Sequence, residues 1–235
     1  MTVKIKDKKC ACRNTYSCNA IITLLNAQKN IQNSQTLIEW VIEQYGRQPF
    51  LILVACLLSL RARDSQVQKQ FPMLVDHIRT PGMVIHTPIN ALENLLYSVG
   101  FYKIKSRTLL SVSQELINRY ASQVPDTLDE LLSITGIGRK TANIVLYYAF
   151  GVPTIAVDVH VHRVSNRLGI VCTQKPEESE AALMSCVEKK WWHLVNRSFV
   201  LWGQQICVPR SPHCSLCALK KYCCYYKNVQ KYPKK

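Results

Sequence analysis

Four cysteines near the end of the sequence constrain this chain more than any other feature: Cys207, Cys214, Cys217 and Cys223 form the pattern C-x6-C-x2-C-x5-C within seventeen residues. Thiolates so close together repel one another unless a cation holds them, so a metal centre is favoured over four free thiols. Two kinds of centre are compatible with four cysteines. Structural zinc usually takes its ligands from two short C-x2-C-like pairs, and only one such pair occurs here. Four thiolates on one compact loop also suit a [4Fe–4S] cluster, which is the expected cofactor. Cys224 could substitute for its neighbour Cys223, although the spacing favours Cys223. A second group, Cys10, Cys12 and Cys18, offers three ligands and is incomplete, while Cys56, Cys172 and Cys186 read as small core residues.

The thirty Lys and Arg against fifteen Asp and Glu give a formal net charge of +15, which points to a polyanionic partner or a membrane surface. From Lys189 to Lys235 there is no acidic residue, and Trp191, Trp192, Phe199 and Trp202 are interleaved with the basic ones, the pattern of a folded basic surface. No apolar run approaches the roughly 18 residues of a membrane span. The first residues are lysine-rich and lack the apolar core of a secretory leader, so the chain is read as intracellular, cytoplasmic or nucleoid-associated in a bacterium, and monomeric. Cysteines in that setting are reduced, catalytic or metal-bound rather than paired.

The apolar periodicity is helical nearly throughout. Leu37, Ile38, Val41, Ile42 and Tyr45 share one face of a helix that Gly46 can stop, and the apolar run from Phe50 to Leu58 reads as a buried helix. Thr87-Pro88 is a capping hydroxyl ahead of a proline that needs no amide partner, with Gly100 able to close that helix. Lys105 to Tyr120 keeps the period, Pro125-Asp126-Thr127 opens a short helix through Leu132, and Pro176 with Glu177, Glu178 and Glu180 opens another. Thr154 to Val161 is rich in β-branched residues but has no hairpin partner, so an all-α fold is expected.

Between two of these helical stretches lies Ile134-Thr135-Gly136-Ile137-Gly138-Arg139-Lys140-Thr141-Ala142. Its paired glycines permit a tight turn and a close approach of backbone to ligand. The amides opening the next helix can hold a phosphate without reading base sequence, and Arg139 and Thr141 sit among them. Lys140 stands just inside that helix, where the dipole disfavours a cation. A neutral amine there can attack an electrophilic carbon and form a Schiff base; a further phosphate contact is the plainer alternative. Eighteen positions later Asp158 stands alone among apolar neighbours, ahead of a helical stretch from His160 to Leu168. It is suited to capping that helix, and a cap can also catalyse.

Thr135 to Asn143, then Pro153 to His160, then the four-cysteine loop resemble, in order and spacing, the endonuclease III family of helix-hairpin-helix DNA glycosylases with an iron–sulfur cluster. The similarity runs from about Ser34 to Tyr225. It implies a two-lobed all-α fold: a six-helix barrel at 43–152 carrying the hairpin, a second lobe from 31–42 and 153–235 carrying the [4Fe–4S] loop, and a basic extension at 1–30. It implies double-stranded DNA with damaged bases or abasic sites as the partner, bound across a cleft with Lys140 at its mouth and Asp158 facing it. A flipped base would be expelled by attack of Lys140 on the sugar, with strand nicking by β-elimination and oxidised pyrimidines as the substrate class. Relatives that excise adenine from mismatches typically lack the lysine. Within the same resemblance, Arg61 stands where a gap-filling glutamine is usual, Phe101 falls on a second wedge loop, and Arg210 matches a phosphate contact while Ser211 departs from a usual lysine. Arg61 as a phosphate contact and Phe101 as core remain open alternatives. So does a non-catalytic DNA-binding module built around structural zinc.

Overall fold

A computed structural model describes residues 17–231; Cys10, Cys12 and the last lysines lie outside the described residues. Among the described residues the secondary structure is helical and no strand occurs. The α-helices are α1 (Cys18–Asn26), α2 (Lys29–Gln32), α3 (Leu37–Tyr45), α4 (Pro49–Ser59), α5 (Asp64–Ile78), α6 (Pro81–His86), α7 (Ile89–Leu95), α8 (Tyr102–Tyr120), α9 (Leu128–Ser133), α10 (Arg139–Phe150), α11 (Val159–Leu168), α12 (Pro176–Cys186), α13 (Trp192–Gln205) and α14 (Cys224–Lys231). No described helix is long and apolar enough to cross a membrane.

The chain divides into two compact units, Gln35–Ala156 and the described residues on either side of it. In the central unit, Phe50 to Leu58 of α4 are all buried. A helix apolar on every face has to be enclosed, and at about 2 kcal/mol per buried aliphatic side chain this one anchors its unit. Around it pack α3, α5, α8 and α10, with Phe71, Leu109, Val112 and Val145 in the same core. Thr36 starts α3 through a reciprocal capping box: its hydroxyl accepts from the Glu39 amide at 3.3 Å, and its own amide donates to Glu39 Oε2 at 2.8 Å.

The division differs from the expected boundaries at two places. Residues 35–42 were assigned to the lobe of the cysteine loop, but Leu37, Ile38 and Val41 are buried in the core of the central unit. Part of the stretch read as a basic extension is a helix of the second unit: α1 buries Ile21, Ile22 and Leu25 and packs against α13 of that same unit. One cap differs too. The Thr87 hydroxyl donates to Met83 O at 2.8 Å, closing α6 rather than opening α7.

In the second unit α11 packs most closely on α13. A Cβ on Gly203 would come 2.9 Å from His160 Nδ1, so the approach of the two helices needs a glycine there. Phe199 and Trp202 are buried, and Arg197 donates to Ile31 O at 3.1 Å and Ser34 O at 2.9 Å. That arginine and those aromatics serve the interior rather than the basic surface expected of them. The segment rich in β-branched residues, Thr154–Val157, has no regular structure and is fastened to α10: Asn143 Nδ2 donates to Ile155 O at 3.2 Å and Thr154 Oγ1 to Asn143 O at 2.7 Å.

Candidate functional site: a helical hairpin, a capping aspartate and a cysteine loop

The hairpin joins α9 to α10. Thr127 caps α9 by accepting from the Glu130 amide at 3.4 Å, and the Ile137 amide donates to Ile134 O at 3.1 Å to close the turn. Gly136 has φ +100, and a Cβ on it would meet Thr108 Cγ2 of α8 at 2.8 Å. Gly138 is different. It occupies the N-cap of α10 with φ −91 and has nothing within 4 Å of a built Cβ. No capping side chain therefore covers the first-turn amides of α10, which keeps the helix start open to an anion.

Two groups that the sequence reading missed buttress this turn from α8. Glu115 Oε1 accepts from the Thr135 amide at 3.1 Å, and Arg119 donates to Ser133 Oγ at 2.8 Å and Ser133 O at 3.3 Å. Arg119 and Glu115 also pair at 2.9 Å. Arg139 is exposed and Lys140 half-buried on the first turn of α10. Thr141 departs from the expected contact set. It is 2% exposed, so its side chain packs inward rather than standing at the surface.

Asp158 opens α11 in the other unit. Its Oδ1 accepts from the His160 amide at 2.8 Å and the Val161 amide at 2.9 Å, so the residue caps as expected and the carboxylate is held in one orientation. Two turns of the same helix supply arginines that the sequence reading did not single out. Arg163 donates to Cys207 O at 3.0 Å and Gly203 O at 2.8 Å, and Arg167 to Val208 O and Pro209 O, both at 2.8 Å. Arg167 Nη1 also lies 3.4 Å from Cys207 Sγ, and its guanidinium stacks on Tyr225 at 4.7 Å. Burial lowers the Arg163 pKa.

Cys207, Cys214, Cys217 and Cys223 line one cavity with Arg167 and Trp202; Cys224 is not in its lining. Among the described residues no three His, Cys, Asp or Glu side chains are grouped tightly enough to hold a single metal ion. Four thiols around one shared space are the donor set that an iron–sulfur cluster or a structural zinc ion takes. Burial pushes the Cys223 thiol up to about 11 and raises Cys214 and Cys217, with the neighbouring cysteines adding repulsion. Ionising all of them together therefore requires a cation. Arg210 is exposed on the loop between the first two cysteines, beside Ser211 with φ 51.

Of the remaining cysteines, Cys56 is core as expected, whereas Cys172 and Cys186 are exposed. Cys172 lies between α11 and α12, and Cys186 ends α12 hydrogen-bonded to Cys18. Arg61 and Phe101 are both exposed, Phe101 at 58%, which removes the core alternative for Phe101.

A family model of HhH-GPD superfamily base excision DNA repair proteins matches residues 54–189. An endonuclease III of Thermotoga maritima is 42% identical over 179 residues, 76% of this chain and 84% of that protein. A solved non-covalent endonuclease III–DNA complex superposes with a TM-score of 0.81 at 34% identity, covering 90% of this chain and 96% of that one. A trapped endonuclease III–DNA covalent intermediate does so with a TM-score of 0.80 at 34% identity, covering 89% and 95%.

Proposed function

The chain belongs to the HhH-GPD superfamily of base excision DNA repair proteins and, within it, to the endonuclease III family, and on that footing we propose that it is a bifunctional DNA glycosylase and AP lyase. The observation that carries the proposal is Lys140, half-buried on the first turn of α10 behind a glycine cap that leaves the helix start open. A duplex seated on those amides through a phosphate brings its sugar within reach of that turn. With the damaged base turned out of the stack, the neutral Lys140 amine attacks C1′ and the base departs with the electrons of its glycosidic bond. The attached amine sheds a proton and pushes open the sugar ring, the C1′–O4′ bond breaking with its electrons and a proton going to O4′. The iminium so formed acidifies the C2′ hydrogen, whose loss expels the 3′ phosphate with the electrons of its C3′–O bond and nicks the strand. Asp158, its carboxylate fixed by two amides, is the base that takes the proton from the Lys140 ammonium ahead of the attack.

Oxidised pyrimidines in double-stranded DNA are the proposed substrates, with Arg61 and Phe101 entering the gap that the extruded base leaves. Arg61 in place of the usual glutamine changes the preference for the opposite base, so Arg61→Gln should shift that profile. Cys207, Cys214, Cys217 and Cys223 would hold the [4Fe–4S] cluster, whose contribution when bound is architectural. Tied to α11 by Arg163 and Arg167, the loop presents Arg210 to the DNA backbone. Borohydride trapping on a duplex with one abasic site tests the mechanism. The wild-type protein should give a covalent adduct that Lys140→Gln loses. A wild-type protein that binds the duplex without forming an adduct would instead be a DNA-binding module, and brown protein with broad visible absorption separates iron–sulfur from zinc.

A further inference from the structure

Among the described residues Lys105 is the one buried lysine or arginine, 6% exposed. It lies in the first turn of α8, the end of a helix that disfavours a cation. Its Nζ donates to Leu58 O at 2.6 Å, across 47 positions of sequence, at the C-terminal end of α4 where a cation is favoured. A buried ammonium set against its own helix dipole and satisfied by another helix serves the junction between the two rather than α8 alone.

That junction holds two corners of the chain. After Leu58, the Ala62 amide donates to Ser59 O at 3.1 Å and Arg61 adopts φ 53. Ahead of Lys105, whose own amide donates to Phe101 O at 3.1 Å, Phe101 adopts φ 61 as the N-cap of α8. The corners touch: a Cβ on Gly100 would lie 3.6 Å from Arg61 O. Two exposed non-glycine residues in left-handed conformation stand on touching backbones, and such conformations persist only when their surroundings over-determine them. The Lys105 bond ties the end of α4 to the start of α8 immediately behind both.

The geometry points to Lys105 as a positioning residue for base extrusion: it clamps the two corners together so that Arg61 and Phe101 enter the duplex as one preassembled wedge. The inference rests on the reading that these two side chains fill the gap. Preassembly removes the ordering that separate loops would undergo at the moment of insertion, and a small misplacement of the wedge slows extrusion without touching Lys140.

The full-length holoprotein carries the test. Lys105→Met removes the charge while keeping the stem packed. In single-turnover assays at saturating enzyme, excision of an oxidised pyrimidine should fall by about tenfold or more, the scale of loss from small misplacement. Nicking of a preformed abasic site, which has no base to extrude, should stay within about threefold. The fluorescence rise of 2-aminopurine placed opposite the lesion, which reports unstacking, should disappear. Equal losses on both substrates, or an unchanged fluorescence rise, would overturn the role. An Arg61→Ala/Phe101→Ala double variant tests the underlying reading separately. If that variant keeps the fluorescence rise, the wedge itself is wrong; if it loses the rise while Lys105→Met keeps it, the wedge stands and the clamp falls. Should Lys105→Met fail to fold, Lys105→Gln, which keeps a donor and gives up the charge, carries the same comparison.

Discussion

Replacing Gly136 by alanine separates two reasons for a glycine in the hairpin. The residue holds φ +100, where an L side chain costs on the order of 1–3 kcal/mol. The new Cβ would also stand 2.8 Å from Thr108 Cγ2, and overpacking of that kind adds about 1–3 kcal/mol as α8 gives way. The two together come to about 4 kcal/mol, or roughly 8–16 °C in melting temperature for a chain of this size at about 2–4 °C per kcal/mol. Thr108→Ser removes the Cγ2 methyl and nothing else from the contact. The double variant should therefore regain the steric part, about 1–3 kcal/mol, and keep the backbone part. Urea unfolding followed by circular dichroism, run as a four-member mutant cycle, measures both parts. A Gly136→Ala protein melting within about 2 °C of its parent would refute the strain assignment. Complete rescue by Thr108→Ser would show that the positive φ costs nothing.

Other perturbations probe neighbouring features. Gly138→Ser should leave stability unchanged or raise it by a few tenths of a kcal/mol, because a serine at the N-cap satisfies an amide. It should also weaken duplex binding in fluorescence anisotropy, since the hydroxyl competes with phosphate for that amide; unchanged affinity would mean that the α10 amides do not hold DNA. Burial lowers the Lys105 pKa to about 8 from 10.5, so the folded chain binds fewer protons than the unfolded chain between those values. Wild-type stability should therefore rise relative to Lys105→Met as pH goes from about 8 to 10.5, with a slope of up to about 1.4 kcal/mol per pH unit. A flat difference across that window would contradict a buried ammonium. The Cys186 thiol lowers Cys18 to about 7, so alkylation of Cys18 by iodoacetamide, followed by peptide mass spectrometry, should show its midpoint there. Cys186→Ala should move that midpoint upward, toward 9.0.

What could be read from the sequence was local. The apolar run of α4 has no polar face and has to be buried, Thr127 stands three residues before Glu130 as a cap should, and Asp158 caps α11 through adjacent amides. The G-x-G turn marked the hairpin, but not which glycine is held by packing and which by access. That distinction lies in Thr108, nearly thirty positions earlier. The groups that brace the site were equally hidden: Glu115 reaches 20 positions to Thr135, Arg167 reaches 41 to Val208, and Lys105 reaches 47 to Leu58. Long polar side chains bonded to distant carbonyls and amides leave no periodicity behind. Thr87 failed in the opposite direction, because a hydroxyl between two short helices can close one as readily as open the other.

The two lysines placed against helix dipoles sharpen what such a position means. Lys105 on α8 and Lys140 on α10 both stand in a first turn, where a cation raises the energy of its own helix. Sequence position therefore treats them alike, and burial separates them. Lys105 is enclosed and spends its charge on the C-terminal carbonyl of α4, so the helix it destabilises is compensated inside the fold. Lys140 is only half-buried, beside the glycine that caps α10, so part of it stays in contact with solvent. A cation on the wrong end of a helix is thus not in itself a catalytic signature. What differs between the two is burial: the enclosed amine is committed to Leu58 O, whereas Lys140 keeps part of its surface in solvent.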